Sequence, residues 1–155
     1  MTKLKPYEPT AENIAQFVDR LMNTPLYTSD ELRNREHLTA EVARVCKADN
    51  SLVFDMCDGG GLMGFTDIMP EWKCSVFFKI WDPSKWSVGL VKEVKALFEA
   101  FAKSTKVFRF ETQTADPVVV KMAKIIGFAI EGVLVDAFRW DGRFYNTSLL
   151  VKFAK

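Results

Sequence analysis

The segment DPSKWSVGL, residues 82–90, combines side chains that can bind an anion at the start of a helix. Ser84 and Ser87 offer hydroxyls, and Lys85 offers a positive charge. Gly89 has no side chain to keep a ligand away from the backbone. The first N–H groups of a helix lack intrahelical acceptors, so they can bind phosphate oxygens. Two interpretations stay open: a phosphate-binding turn, or a capped turn that only joins a strand to a helix.

Cysteine and histidine show no pattern of a reactive or metal-binding site. Cys46, Cys57 and Cys74 have neither CxxC spacing nor a partner histidine, so neither a zinc site nor a disulfide framework is indicated. We expect these cysteines to be free thiols, with no metal bound. His37 lies in the polar stretch RNREHLTAE, where a solvent-exposed helical position is expected.

Hydrophobic periodicity in the first half predicts a strand, two helices and three further strands. An extended start at residues 3–7 precedes two amphipathic helices, which Thr10 and Ser29 can cap. SLVFDM and GLMGFTDIM then form an antiparallel hairpin through CDGG, where Asp58, Gly59 and Gly60 can supply positive φ angles. SVFFKIW is the next strand.

The second half predicts two helices alternating with three strands. A long amphipathic helix covers residues 88–103, KVFRFET is a strand, and PVVVKMAKII is a short helix between Pro117 and Gly127. The last two strands flank the hairpin turn Asp141-Gly142. The order β-α-α-β-β-β-α-β-α-β-β predicts an α/β (α+β) fold, with one mixed, mostly antiparallel sheet of about seven strands and about four helices on both faces.

Composition restricts the class of protein and its partners. The 155 residues are 48% hydrophobic and 26% charged, which predicts a single domain spanning residues 1–155. With 21 basic and 20 acidic side chains, the net charge of +1 favours neither a nucleic acid nor a membrane as partner. Charges interrupt every apolar run before the roughly 20 residues needed to span a bilayer. MTKLKPYEP lacks the apolar core of a signal peptide, so a soluble, cytoplasmic protein is expected.

Element order and the C-terminal third together resemble a known family. The chain is similar along nearly all its length to the GNAT superfamily of acyl-CoA-dependent N-acetyltransferases. IIGFAIEG and DGRFYN resemble the subgroup that acetylates protein N-termini and ribosomal proteins. Asn146 stands where that subgroup usually has an acid. The residues carrying the likeness are Gly127, Phe128, Glu131, Gly132, Asp141, Gly142 and Tyr145.

The resemblance implies acetyl-CoA as the acyl donor, with its pyrophosphate at the turn after the fourth strand. The family pattern there is Gln or Arg, two residues, Gly, one residue, then Gly or Ala. If Gly89 is the first glycine, Trp86 takes the basic position and Val91 the second small position. If Gly89 is the second glycine, Ser84 takes the basic position and Ser87 that of the first glycine. Neither register restores the motif. The cofactor-binding residues implied are Ile80, Trp81, Lys85, Trp86, Ser87, Val88, Gly89, Leu90 and Asp116.

The resemblance also implies where groups for acyl transfer should lie. A backbone N–H near Ile80 or Trp81 would stabilise the oxyanion. Asp116 takes the position of the family's usual Asn, although it can equally be a helix N-cap. The family's tyrosine acid falls at Ala123, so Tyr145 is the candidate substitute, with packing as its alternative role.

Three carboxylates are candidates for the general base. They are Asp67 and Glu71, which flank the loop near the expected acceptor entrance, and Glu111, on the strand beside the expected cleft. Ordinary surface or paired carboxylates are the alternative for each. His37 falls in a helix that helps to shape the acceptor pocket in the family.

Two functions of different class follow from the resemblance. The first is an N-acetyltransferase that transfers acetyl from acetyl-CoA to a primary amine of a peptide or small molecule by direct attack. The second is a catalytically inactive GNAT-like structural protein that binds protein partners in an assembly, as in acetyltransferase-like phage head-assembly or internal virion proteins. The degenerate turn and the absent tyrosine favour the second function, and the fold favours the first.

Overall fold

The computed structural model describes residues 3–56 and 59–154, which form one seven-stranded sheet with four α-helices. The strand order in the sheet is β1-β2-β3-β4-β5-β7-β6, and only β4 and β5 pair in parallel. This mixed, mostly antiparallel α/β architecture and its element order are those the sequence predicts. The strands are β1 (Leu4–Pro6), β2 (Leu52–Met56), β3 (Gly61–Met69), β4 (Lys73–Ile80), β5 (Arg109–Thr114), β6 (Ala129–Trp140) and β7 (Arg143–Phe153).

The helices begin and end at residues that satisfy their free backbone groups. They are α1 (Ala11–Asn23), α2 (Arg35–Lys47), α3 (Val88–Thr105) and α4 (Pro117–Ile126). Thr10 caps α1 by accepting a hydrogen bond from the Asn13 N–H at 3.1 Å. Gly127, at φ 120°, ends α4 in a conformation that only glycine adopts easily.

The second helix starts later than the sequence indicates. Ser29 precedes a short 3-10 turn, Asp30–Leu32, and makes no side-chain capping bond there. Asn34 caps α2 instead, accepting from the His37 N–H at 3.0 Å. The Ser29 prediction was wrong because two polar residues that can each cap a helix lie five positions apart, and tertiary contacts decide between them.

The predicted CDGG turn is described only in part. Gly59 has the expected positive φ of 87°, whereas Cys57 and Asp58 lie outside the described residues. At the other hairpin, Asp141 and Gly142 both have positive φ, 51° and 75°, as an Asp-Gly turn requires.

Aromatic side chains pack helices against both faces of the sheet. On one face, Phe65 of β3 stacks on Phe101 of α3 with ring centroids 4.1 Å apart, and Phe98 lies edge-on to Phe110 of β5 at 4.9 Å. On the opposite face, the ring centroid of Phe17 of α1 lies 6.3 Å from that of Phe77 of β4. Of the helices within the described residues, none is long and apolar enough to cross a membrane.

Candidate active site

The sheet opens between its two parallel strands. β4 and β5 pair only from Lys73 and Arg109 to Ser75 and Glu111. Beyond that point β4 stays with β3 as far as Ile80, and β5 stays with β7, because antiparallel ladders hold each strand more firmly than a parallel one. We call the resulting opening the β4–β5 cleft. A space of about 370 Å³ lies at its closed end, and its lining includes the paired residues Ser75 and Glu111 as well as Phe77, Gln113 and Leu149.

The polar backbone groups of Ile80 already have a partner at the end of β4. The Ile80 N–H donates to the Tyr27 hydroxyl at 2.7 Å, and that hydroxyl lies 2.8 Å from the Ile80 carbonyl oxygen, to which it donates. Since both groups bond to Tyr27 rather than to β3, they face the cleft side of β4. The Trp81 N–H instead donates to the Gly60 carbonyl at 2.9 Å. Of the two expected oxyanion donors, the Ile80 amide therefore faces the cleft.

Tyr27 is a buried residue of the loop between α1 and α2. Its ring lies edge-on to Trp81, with centroids 5.4 Å apart, and the Lys79 ammonium lies 5.0 Å from its centroid. Burial raises the pKa of the Tyr27 phenol above its ordinary value, the hydrogen bond to Ile80 opposes that rise, and Asp116 adds to it. Tyr27 therefore stays protonated and connects the end of β4 with the start of α4.

Lys79 and Asp116 are the charged residues that act on this phenol and on each other. Burial lowers the pKa of Lys79 to about 8, and the Asp116 carboxylate partly offsets the effect. Asp116 also caps α4, accepting from the Val118 N–H at 2.9 Å. Asp116 thus has the N-cap role that its position predicted, and its charge also acts on the cleft.

The turn after β4 uses many of its own amides. The Ser84 N–H donates to the Asp82 carboxylate at 3.1 Å. The Lys85 and Trp86 N–H groups donate to the backbone carbonyls three residues earlier, those of Asp82 and Pro83, both at 3.2 Å. Ser87 caps α3 by accepting from the Leu90 N–H at 3.1 Å. Trp86 packs against the core, as the capped-turn interpretation expects.

The first turn of α3 nevertheless leaves space for an anion. A Cβ at Gly89 would meet Ser87 Oγ at 3.7 Å and Lys3 Cε at 3.8 Å, which are ordinary contacts. Val88 and Gly89 belong to the first turn, whose N–H groups have no intrahelical acceptor. The positive charge of Lys85 helps to lower the pKa of Asp82, after the larger effect of the Ser84 hydrogen bond. The Lys3 side chain therefore lies beside the N-terminus of α3, and Lys85 lies in the turn that precedes this helix.

Glu111 lies at the closed end of the cleft, where it is held in ion pairs. Its carboxylate is 2.9 Å from the Arg109 guanidinium and 3.4 Å from the Lys73 ammonium. The Arg109 hydrogen bond and Lys73 hold the pKa of Glu111 below its usual range, which weakens it as a base. Glu111 pairs with Ser75, five residues before Ile80, so it lies about 16 Å from the Ile80 amide along the strand.

The other two candidate carboxylates lie at the turn between β3 and β4. Asp67 lines a space of about 300 Å³ that Ser75 and Glu111 also line, so the structure brings Asp67 and Glu111 together. Glu71 is exposed and lies 3.9 Å from Lys106. Asp67 and Glu71 both have positive φ, 49° and 66°, in the bends that join the two strands.

The candidate acid and the lone histidine lie on different elements. Tyr145 is half-buried on β7, opposite Phe138, and lies three residues before Ser148, which pairs with Thr114 at the end of β5. Side chains alternate along a strand, so Tyr145 shares the sheet face of Gln113 and Glu111. Ala123 is fully buried on α4. His37 is exposed on α2, as expected.

The described cysteines are poor nucleophiles. Burial raises the pKa of Cys74 to about 12 and that of Cys46 to about 11, so both are protonated at neutral pH. Cys57 lies outside the described residues. Across residues 3–56 and 59–154, no three His, Cys, Asp or Glu side chains come together as a metal site.

Solved structures share this fold. A GNAT-family acetyltransferase from Streptococcus pneumoniae superposes with a TM-score of 0.64 at 17% identity, covering 98% of each chain. A Salmonella typhimurium acetyltransferase that modifies the N-terminal serine of a 50S ribosomal subunit protein gives 0.68 at 16% identity, over 100% of this chain and 97% of that one. This chain has the GNAT fold. Spermidine N-acetyltransferase from Vibrio cholerae, solved with CoA and spermine, gives 0.69 at 15% identity, over 97% and 95%.

Comparison at the level of sequence finds no match. No protein-family model matches the sequence, and no curated protein matches it either. At identities of 17% and below, the structural likeness shows the fold alone.

The residues at one end of the site suit CoA, whereas the amide at the other end is already bonded. The first turn of α3, with open space at Gly89 and with Lys3 and Lys85 nearby, suits a pyrophosphate. At the acyl end, the Ile80 amide already donates to Tyr27. An acyl oxygen can accept from that amide only when the Tyr27 hydroxyl leaves it.

Sequence reasoning missed Tyr27 and Lys79. Tyr27 stands in the loop TPLYTSD, where an aromatic residue among turn-forming residues was the available signal. Lys79 is the charged residue in the strand SVFFKIW, and its alternation with buried residues gave no reason to single it out. Both residues matter only because the loop between α1 and α2 folds over the end of β4.

Proposed function

We propose that this chain, as a single domain spanning residues 1–155, is an N-acetyltransferase. It would transfer an acetyl group from acetyl-CoA to a primary amine of a peptide or small molecule by direct attack. The observation that carries this proposal is the β4–β5 cleft, which the Ile80 amide faces, together with the open helix N-terminus at Gly89 that follows β4 along the chain.

The residues around the cleft have separate proposed roles. The α3 amides at Val88 and Gly89, with Lys3 and Lys85, would hold the pyrophosphate. When bound, acetyl-CoA supplies an acyl group that its thioester activates toward an amine. The Ile80 N–H would stabilise the negative charge that develops on the acyl oxygen, since a fixed backbone donor needs no reorganisation.

Proton transfer is proposed for side chains on the sheet face that carries Glu111 and Gln113. Tyr145 is the proposed acid, because it shares that face and lies beyond the end of β5. Asp67 and Glu111 lie together near the closed end of the cleft, about 16 Å from the Ile80 amide, so they are proposed as bases that take the amine proton through a relay of water molecules. The Arg109 ion pair lowers the pKa of Glu111, which weakens it as a base.

Calorimetric titration with acetyl-CoA tests the proposal before any acceptor is sought. We expect micromolar binding by the wild-type chain and at least about 10-fold weaker binding by Gly89→Glu, which adds a side chain and a negative charge beside the pyrophosphate. Ser104→Glu is the matched control, because it adds the same charge at an exposed position in the last turn of α3. We expect it to bind as the wild type does.

A folded wild-type chain that does not bind at millimolar acetyl-CoA would contradict this function. Binding by all three chains with equal affinity would instead exclude the α3 N-terminus as the pyrophosphate site. If binding is found, acceptor screening starts with spermidine and a peptide with an N-terminal serine. These are the amine classes named for two of the structural neighbours.

The second candidate function is a catalytically inactive GNAT-fold protein that binds protein partners. β6 is the last strand of the sheet, and its apolar side chains are exposed, among them Val135 at 74% and Val133 at 48%. An exposed apolar edge strand is a surface on which another chain can pair. This function is favoured if the titration shows no acetyl-CoA binding and Val135→Lys abolishes a complex that the wild-type chain forms.

A further inference from the structure

The Tyr27 hydroxyl stands where an acyl oxygen would accept a hydrogen bond. Its oxygen is 2.7 Å from the Ile80 nitrogen, within the 2.7–3.1 Å or so that an amide donor keeps from a stabilised oxyanion. The same hydroxyl donates to the Ile80 carbonyl at 2.8 Å. One side chain thus uses both polar groups that β4 presents to the cleft at this residue.

Packing holds Tyr27 in this position although its loop is strained. The Tyr27 side chain is buried against Trp81, which in turn lies edge-on to Phe17 of α1 at 5.9 Å. The preceding residue, Leu26, has a φ of 66°, a left-handed conformation that a side chain disfavours. The contacts of Tyr27 therefore stabilise a loop conformation that the backbone alone does not prefer, so displacement of Tyr27 relieves strain at Leu26 while it loses these contacts.

We propose that Tyr27 is a self-inhibitory plug of the acyl site, which an incoming acyl group must displace. The inference rests on the proposed function. The Ile80 amide has one hydrogen to donate, so Tyr27 and an acyl carbonyl exclude each other there. The pyrophosphate end of the site lies at α3, away from the phenol, and binds its ligand whether Tyr27 is in place or displaced.

Amide hydrogen exchange tests the contact without any ligand. Tyr27→Phe keeps the ring and removes the hydroxyl, and we expect the Ile80 amide to exchange about 10-fold faster as it loses its acceptor. The Leu90 amide, capped by Ser87, is the internal reference and is expected to be unchanged. Equal exchange of Ile80 in both chains would overturn the proposal.

Tyr7→Phe is the matched control variant. The Tyr7 hydroxyl is buried and has no hydrogen-bond partner within the described residues, so its removal deletes the same atoms without freeing an amide. We expect the Ile80 exchange rate of this variant to equal that of the wild type. Faster Ile80 exchange in Tyr7→Phe would mean that loosening of the fold, and not the lost Tyr27 bond, explains both variants.

Titration with two ligands separates this inference from the proposed function. Acetyl-CoA should bind Tyr27→Phe about 3- to 10-fold more tightly than the wild type, because it no longer competes with the phenol. Adenosine 3′,5′-bisphosphate lacks the acyl and pantetheine groups and should bind both chains equally.

Each other outcome of the titration has a definite meaning. Equal acetyl-CoA affinity in the two chains overturns the plug and leaves the function standing. Weaker binding by Tyr27→Phe also overturns it, since the phenol would then hold the ligand. If neither chain binds acetyl-CoA, the proposed function fails and the plug fails with it.

Discussion

At the scale of single residues, Lys79 makes the stability of the fold depend on pH. It lies on the half-buried side of β4, and burial lowers its pKa to about 8 from an ordinary value of 10.5. Between these two values, the unfolded chain keeps a proton that the folded chain releases. The contribution of Lys79 to the free energy of unfolding therefore rises with pH across this window. That contribution is lowest below pH 8.

Lys79→Met should remove this dependence on pH. We expect the variant to be the more stable chain at pH 7, and the wild type to gain about 1–3 kcal/mol relative to it between pH 8 and 10.5. Urea denaturation at several pH values measures the difference. Lys103→Met removes an exposed ammonium from α3 as the control, and we expect it to stay parallel to the wild type. Parallel curves for Lys79→Met would show that the Lys79 ammonium is well solvated.

At the scale of elements, a glycine lets the β3–β4 ladder position the aromatic wall of the cleft. Gly64 pairs with Phe77, and the Phe77 ring lies directly over the glycine. A Cβ at Gly64 would lie 2.2 Å from the Phe77 ring, whereas a Cβ at Gly132 of β6 would meet only Leu149 at 3.8 Å. The ring reaches both Phe17 and the cleft because residue 64 has no side chain.

Gly64→Ala should destabilise the fold by about 1–3 kcal/mol through overpacking against the Phe77 ring. Gly132→Ala, in a strand but with open space, is the matched control and should change stability by less than about 0.5 kcal/mol. Chemical denaturation compares the two variants. Adding Phe77→Leu to Gly64→Ala should recover part of the loss, and a Gly64→Ala chain as stable as the wild type would disprove the clash.

At the scale of the whole molecule, α3 holds together the two halves of a sheet that is open between β4 and β5. Phe98 contacts Phe78 of β4 at 6.5 Å and Phe110 of β5 at 4.9 Å, so one side chain bridges the strands on either side of the cleft. It also lies edge-on to Phe128, next to the end of α4, at 5.8 Å. The aromatic core thus provides the cohesion that the short β4–β5 ladder does not.

Phe98→Ala should lower the free energy of unfolding by about 3–5 kcal/mol, because it leaves a cavity between the two halves of the sheet. Phe144→Ala, on β7 with 61% of the side chain exposed, should change it by less than about 0.5 kcal/mol. Thermal unfolding of the three chains measures both effects. Equal losses in the two variants would contradict the bridging role of Phe98.

Local patterns in the sequence determined the elements and their order. Thr10, Gly127 and Asp141-Gly142 act where they were expected, because capping and turn formation depend on neighbours within a few residues. The order in which helical and strand patterns of hydrophobic residues follow one another then restricted the fold to one mixed sheet with helices on both faces. Ser29 shows the limit of this reasoning, since two capping residues five positions apart were available and packing selected the second, Asn34.

Only the tertiary structure decided the state of the candidate site. The bond between Tyr27 and Ile80 joins residues 53 positions apart, and no local pattern marks such a pair. The same holds for Glu111, whose partner Lys73 comes from the neighbouring strand. Sequence determines which groups a strand or loop carries, but hydrogen bonding and ion pairing depend on distances that exist only when the sheet and the loop between α1 and α2 have folded together.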